Sequence, residues 1–328
     1  MVVIIAGVSG QDGSYMAERL ISIGHKVFGL TRIAEKNKTF PNIEHLGSSL
    51  NLIETDYGQD SINELVEEIQ PSEIYNFTGQ SYVSKSWDLV EDTIFSQGVI
   101  ASRFLVAIEK WNGAIKFLNA SSSEIFKMVG NKPITENSFI SPYNPYGCAQ
   151  ALGHLMVDAY RENKGIYAVN AILFPHESPR RNQDFAFQKI ISTAVKIKKG
   201  DASQLEVGNL FVRRDWGYAP FFIDAMINMM SLKVPENFCL CTGVSHSIEE
   251  VIEIVFNYLE LDWKKYVTVQ ESLIRNYEPD VVVGEPSKAI NYLNIDTTKK
   301  MDDIIINIIE FEIKNYNSKR QYELERFL

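Results

Sequence analysis

Cysteine is scarce in this chain of 328 residues: there are three, Cys148, Cys239 and Cys241. Three thiols so spaced cannot build the disulfide framework of a small secreted domain. Cys239-Leu240-Cys241 could be imagined as half of a metal site. Its FCLCTG setting reads instead as a buried strand, and no second thiol pair is present to complete a tetrahedron, so no metal is expected. Positive charge is also short, with 32 Lys and Arg against 42 Asp and Glu and a formal charge of −10. Phosphate-backbone binding is driven by clustered cations, so nucleic acid is excluded as a partner, whereas a small anionic ligand bound locally is not. No apolar run approaches the ~18 residues that span a bilayer. The opening MVVIIAG lacks the basic region and cleavage site of a signal peptide. The expectation is a cytoplasmic protein of a reducing compartment. Its 45% hydrophobic content suffices for one large core or two fused domains.

What is present is a rhythm. Val2 to Ala6 is a continuous apolar run ending in a glycine, the pattern of a parallel strand buried on both faces. A helix is expected over about 14–23, strands over 26–30 and 51–55, a helix over 62–69 and a buried strand over 73–77. A long helix should follow over 89–110, then a strand over 115–119, a helix over 146–164 and a strand over 167–173. Strands alternating with helices of this length imply an α/β fold with a doubly wound parallel sheet of the Rossmann type. Residues 1–175 read as a dinucleotide-binding domain. Residues 176–328 read mainly as a smaller mixed α/β substrate-binding domain, interleaved so that some segments return to the sheet. Shorter elements are expected near 185–199 and 247–259, separated by loops rich in Gly, Asn, Asp and Pro, and the amphipathic tail 302–316 reads as a packing helix.

Between the first strand and first helix runs Gly7-Val8-Ser9-Gly10-Gln11-Asp12-Gly13, with glycines spaced G-x-x-G-x-x-G. Glycine permits the tight turn and lets backbone amides approach a pyrophosphate at the helix N-terminus, and the position directly after a buried strand makes the pattern specific for a dinucleotide. Gly7, Gly10, Gln11, Asp12 and Gly13 are therefore cofactor-binding candidates. The second strand ends Gly29-Leu30-Thr31-Arg32, with no acid before Glu35 to bind a ribose 2′-hydroxyl. Arg32 favours NADP over NAD, and Asp56 is placed to meet the adenine ring.

Ala120-Ser121-Ser122-Ser123-Glu124 follows the strand expected to end at Asn119, at the sheet edge where open α/β sheets hold ligands. Ser122 could bind a substrate oxygen and Glu124 could act as acid and base, but serine-rich turns also serve as plain caps, and on these residues alone the two readings stay open.

Taken together, the glycine loop, the SSSE turn, Tyr146, HESPRR (His176–Arg181) and RRDWG (Arg213–Gly217) resemble the extended short-chain dehydrogenase/reductase family and, within it, the GDP-mannose 4,6-dehydratase branch. GQDGSYMAE, TGQSYV, TGVSHSIEE and VGEPSKA extend the resemblance over nearly the whole chain. It implies an internal redox reaction on a nucleotide sugar. A tyrosinate removes the C4 hydroxyl proton as hydride leaves; the C4 ketone acidifies C5–H, a Glu takes that proton, water leaves from C6 and the hydride returns there. Carried over, Tyr146 is the base, Glu124 the C5/C6 acid/base and Ser122 the hydroxyl, while Lys189, Arg214 and Glu177 fall to the substrate pocket. The HESPRR loop implies a homo-oligomer, a dimer or tetramer, with Arg180 and Arg181 reaching a neighbour, and His176 ordering the loop.

Three positions depart from the branch. Its tyrosine is followed four residues on by lysine, whereas PYGCAQ places Gln150 there, on the same helix face and facing the cofactor. At about 4 Å and an effective dielectric near 20, an ammonium is worth ~4 kcal/mol, roughly three pKa units. Gln150 can bind a ribose hydroxyl but supplies no such charge. The Asn that precedes HESPRR in the branch is Pro175, and the Arg of its late Tyr-Arg-Pro motif is Glu278, with Arg275 nearby as a substitute. Three readings follow: a dehydratase slowed by its glutamine, a divergent nucleotide-sugar C4 oxidoreductase or epimerase, or an impaired nucleotide-sugar-binding paralogue. Retention of Ser122, Glu124 and Tyr146 favours dehydratase-type chemistry.

Overall fold

The computed structural model describes residues 1–32, 39–111, 115–128, 132–274, 278–293, 295 and 300–317; Glu35 and Arg275 lie outside the described residues. The apolar run Val2–Ala6 forms β1, followed by β2 (Lys26–Arg32), β3 (Leu50–Thr55), β4 (Glu73–Asn76), β5 (Lys116–Ser122), β6 (Ala168–Leu173) and β7 (Phe238–Leu240). Among the described residues these seven form one sheet, ordered β7-β6-β5-β4-β1-β2-β3. Every adjacent pair is parallel. Among the described residues, the helices of ten residues or more are α1 (Gln11–Ser22), α2 (Gln59–Ile69), α3 (Ile100–Lys110), α4 (Pro145–Lys164), α5 (Ala186–Lys199), α6 (Ala219–Ser231), α7 (Ile248–Tyr258) and α8 (Met301–Lys314).

Side-chain alternation along β1 sorts the helices onto two faces. Val3 and Ile5 join α1 and α6 in one core, and Ile4 and Ala6 join α2, α3 and α4 in the other. A separate core unites α5, α7 and α8 with Leu205, Trp216 and Tyr218. Beyond residue 175, α6 and β7 lie in the sheet layer, because the FCL run of β7 is fully buried and pairs with β6.

Two elements differ from their sequence readings. The helix expected over 89–110 is broken: Val90–Ile94 is α-helical, Phe95–Val99 is π-helical, and α3 follows. The strand expected to end at Asn119 continues to Ser122, because Ser121 and Ser122 still pair with Ile172 and Leu173 of β6.

A polar seam crosses the sheet interior. Asn76, Asn119 and Asn170 stand opposite one another on β4, β5 and β6, and their amides bond at 2.9 and 3.1 Å. Asn170 Nδ2 then donates to Asp158 of α4 at 3.2 Å. That carboxylate also accepts from Arg161 at 2.6 Å and Asn237 at 2.8 Å, and meets His154 Nε2 at 3.3 Å. His154 Nδ1 lies 2.9 Å from Ser121 Oγ on β5. Burial pushes the Asp158 carboxyl up, but His154, Asn237 and Arg161 outweigh it and bring it down to about 2. A carboxyl held below its unfolded value stabilises the fold above that value and loses this contribution as pH falls through the folded pKa. Asp158→Asn is therefore expected to cost about 2 kcal/mol at pH 7, a difference that shrinks between pH 4 and pH 2. Urea unfolding of both proteins across that range measures it, and a constant difference would show that the charge is not responsible.

Candidate active site

A cavity of about 330 Å³ opens at the carboxyl ends of β1, β4, β5 and β6. It lies where the strand order reverses between β1 and β4, the place open parallel sheets offer ligands. Phe187, Trp216 and Ile248 of the core formed by α5, α7 and α8 make its far wall.

Its floor is the glycine loop. Gly7 has φ +78°, and a Cβ there would lie 2.5 Å from the Phe77 carbonyl oxygen. A Cβ on Gly13 would lie 2.3 Å from the Gly7 oxygen, so α1 packs on the turn only without a side chain. Gly10 caps α1 without any side-chain hydrogen bond, and the helix N-terminus faces the cavity. These residues fit a dinucleotide pyrophosphate: amide donors, the positive end of the helix and no side chain in the way.

Gln11 and Asp12 line the cavity, yet both hold the HESPRR loop. Gln11 Nε2 donates to the His176 carbonyl at 3.3 Å, and its Oε1 accepts from Ser178 at 2.8 Å. His176 meets Asp12 at 2.9 Å through Nε2 and the Phe174 carbonyl at 2.7 Å through Nδ1. Burial opposes charge on both partners, but their mutual attraction prevails, holding Asp12 below and His176 above their ordinary ranges. Arg180, expected to reach a neighbouring subunit, is buried against Glu18 and stacks 3.9 Å from the Tyr15 ring centre. Its guanidinium is used within its own chain.

The four proposed proton-transfer residues converge on the cavity. Ser122 closes β5 and accepts the Glu124 N–H at 3.2 Å. Glu124 Oε2 accepts from Tyr143 Oη and Asn144 Nδ2, each at 2.9 Å. Tyr146 opens α4, and Gln150 Nε2 lies 3.3 Å from its hydroxyl. Burial raises the Tyr146 pKa; hydrogen bonding to Ser122 and Gln150 opposes it, Glu124 adds to it and Arg181 subtracts, leaving the phenol above the ordinary tyrosine range.

The remaining expected residues divide. Arg214 lines the cavity but pairs with Glu278 at 2.8 Å and donates to the Pro279 carbonyl at 3.0 Å. Glu177 is 3% exposed, and burial pushes its pKa up to about 7 although Arg181, 3.8 Å away, and His176 oppose the shift. Lys189 donates to the Glu206 carbonyl at 3.0 Å, outside the cavity lining, because its helix turn faces the 205–207 strand. Arg32, the candidate for a 2′-phosphate, pairs with Asp92 at 3.0 Å, and Asp56 is an exposed turn residue accepting the Gly58 N–H at 2.7 Å. Neither is among the lining residues.

Sequence reasoning passed over Asn144, Tyr143 and Gln97. Asn144 caps α4 by accepting the Gly147 N–H at 2.7 Å and carries its other amide atom to Glu124. The Asn144-Pro145 pair was the available signal, an N-cap followed by proline at the first helical position.

Comparison with known proteins bears on this site. A family model described as GDP-mannose 4,6 dehydratase matches residues 4–308. The GDP-mannose 4,6 dehydratase of Cricetulus griseus is 34% identical over 341 residues, covering 95% of this chain and 91% of that protein. That of Vibrio cholerae is 32% identical and covers 87% of each. Among solved structures, UDP-glucose 4-epimerase of Thermotoga maritima with UDP-glucose superposes with a TM-score of 0.86 at 16% identity, covering 97% of this chain and 100% of that one. dTDP-glucose 4,6-dehydratase from Bacillus anthracis in complex with NAD gives 0.84 at 14%, covering 96% and 97%. The structural likenesses speak to the fold, and the match over residues 4–308 decides the family: this chain belongs to the GDP-mannose 4,6-dehydratase family.

Proposed function

We propose that the chain is a nucleotide-sugar 4,6-dehydratase that binds NAD or NADP and acts on a GDP-linked hexose or heptose. The observation that carries this is the convergence of Ser122, Glu124 and Tyr146 on the cavity floored by the glycine loop. A dinucleotide bound there would supply a hydride acceptor that later becomes the donor. Tyr146, as its phenolate, accepts the proton of the sugar C4 hydroxyl, whose oxygen Ser122 holds by a hydrogen bond. Glu124 takes the C5 proton that a C4 ketone acidifies and passes a proton to the departing C6 hydroxyl, so that one water leaves without net oxidation. Tyr143 and Asn144 both grip Oε2 of Glu124, which directs Oε1 to the substrate. A C4 epimerase or simple oxidoreductase would have no use for such an oriented carboxylate.

The ion pair of Arg32 with Asp92 bears on the choice of dinucleotide. An exposed pair contributes little, so NADP requires only that Arg32 exchange the carboxylate for a 2′-phosphate, and NAD requires no change.

Incubation with GDP-mannose, GDP-heptose, dTDP-glucose and CDP-glucose, followed by mass spectrometry, tests the reaction. Loss of one water from a GDP-sugar with no net cofactor reduction is expected. Glu124→Gln should abolish exchange of the C5 proton with solvent while C4 oxidation persists. An oxidised product with stoichiometric reduced cofactor would make the protein a dehydrogenase instead.

Glu278 competes with a substrate diphosphate for Arg214. Glu278→Gln is expected to tighten GDP binding about tenfold by calorimetry, the effect of removing one partly screened repulsive charge. An unchanged Kd would place the diphosphate elsewhere.

A further inference from the structure

Gln150 does not face Tyr146 alone. Its Nε2 also donates to Gln97 Oε1 at 2.6 Å, and Gln97 Nε2 donates to the backbone carbonyl of Gln80 at 2.7 Å. Gln150 and Gln97 are 4% and 6% exposed, and both line the cavity. The direction of the chain is forced from one end. A backbone carbonyl only accepts, so Gln97 must present its NH2 to Gln80 and its oxygen to Gln150. Gln150 must then present its NH2 to Gln97, and the second hydrogen of that group points at the Tyr146 oxygen, 3.3 Å away. An amide that could otherwise sit either way round is fixed with its donor on the phenol.

Three independent features hold Gln97 in place. It lies in the π-helical stretch Phe95–Val99, a local widening of the helix that turns this side chain toward α4. Gly79, at φ +118°, gives it room, since a Cβ there would come within 2.3 Å of the Gln97 amide. Gly153 of α4 lets the backbone approach, because a Cβ there would lie 2.8 Å from the Gln97 carbonyl oxygen.

We infer that Gln97 is a positioning residue for Tyr146, acting through Gln150: the two amides form a neutral relay that keeps a hydrogen-bond donor aimed at the tyrosine oxygen and so favours its phenolate. The inference deepens the dehydratase reading and rests on Tyr146 as the base. It concerns ionisation of Tyr146 rather than turnover, so it can fail while that reading stands. The other charged groups bearing on Tyr146 are Glu124, which disfavours the phenolate, and Arg181, which favours it; Ser122 contributes a hydroxyl hydrogen bond.

The test is a titration of the full chain labelled with 13Cζ-tyrosine, with and without saturating NAD⁺. Tyr146→Phe identifies the Tyr146 signal among the fifteen tyrosines. Gln97→Met should raise the Tyr146 pKa by roughly one unit, the size of one neutral hydrogen bond. Gln150→Met should do the same, and the double variant should shift no further than either single one. Gln97→Asn, which keeps the amide but falls short of Gln150, should give a similar shift and covers the case in which methionine is not tolerated. With lysine introduced by Gln150→Lys, the shift caused by Gln97→Asn should shrink to a small fraction of a unit. An unchanged Tyr146 titration in Gln97→Met or Gln97→Asn overturns the inference. So do shifts that add in full in the double variant, since Gln97 would then act independently of Gln150.

Discussion

The site depends on how α4 is fastened at both ends. At its start, Asn144 accepts the Gly147 N–H with one amide atom and donates to Glu124 with the other, so a single side chain both begins the helix and aims the carboxylate. Near its end, Asp158 gathers donors from Asn170, Asn237 and Arg161 and ties the helix to β6 and the residue before β7. Residues 146, 150, 154 and 158 follow at four-residue intervals and lie along one stripe of the helix. Because His154 meets Ser121 and Asp158 meets Asn170, that stripe cannot rotate away from the sheet. Tyr146 and Gln150 sit over Ser122 for this reason. These polar contacts fix the rotation of α4 alongside its buried Ala151 and Val157.

Charge in the cleft is arranged against expectation for a site that takes a diphosphate. Asp12, Glu124, Glu177, Asp184 and Glu278 line the cavity, against Arg181 and Arg214. The excess is managed locally. Asp12 is answered by His176, and Glu278 by Arg214. Glu177 is raised toward neutrality by burial and so contributes only part of a charge at pH 7. The attraction left for an incoming anion is chiefly the N-terminus of α1 on the dinucleotide side, since Arg181 lies 3.8 Å from Glu177 and Arg214 is paired with Glu278. The dinucleotide half of the cleft is therefore the better prepared for anions. Pro175 and Glu278, two of the positions that depart from the family pattern, both line the cavity.

Much of the sheet was legible because buried parallel strands announce themselves as apolar runs, and β1, β4 and β6 fall within a residue or two of their expected bounds. The glycine loop was legible for a stricter reason: only glycine fits at Gly7 and Gly13, so the constraint is written in residue type. Charged residues were the least legible. Arg32 and Lys189 were read as ligand contacts and Arg180 as reaching a neighbouring subunit, each from its place in a motif, but a long cationic side chain goes where a carboxylate or carbonyl is nearest, and those partners are distant in sequence. Asp92 lies 60 residues from Arg32, and Glu18 lies 162 from Arg180. The π-helical stretch was hidden too, since its residues continue the apolar pattern of a regular helix and the widening shows only in the backbone.

The missing lysine takes on a different meaning beside Gln97. An ammonium acts through a monopole whose field falls slowly with distance, so it helps a phenolate from many orientations. An amide offers a dipole that helps with its nitrogen toward the phenol and harms with its oxygen there. Replacing the first by the second transfers the burden from charge to orientation, and orientation has to be imposed by neighbours. Gln80 imposes it through a backbone carbonyl, which has no second way round, and Gly79 and Gly153 leave Gln97 the space to relay it. Even so, a neutral hydrogen bond recovers only about one of the roughly three pKa units an ammonium would supply. Burial meanwhile holds the Tyr146 phenol above the ordinary tyrosine range, so the orientation of Gln150 alone leaves it short of the phenolate that a lysine would favour.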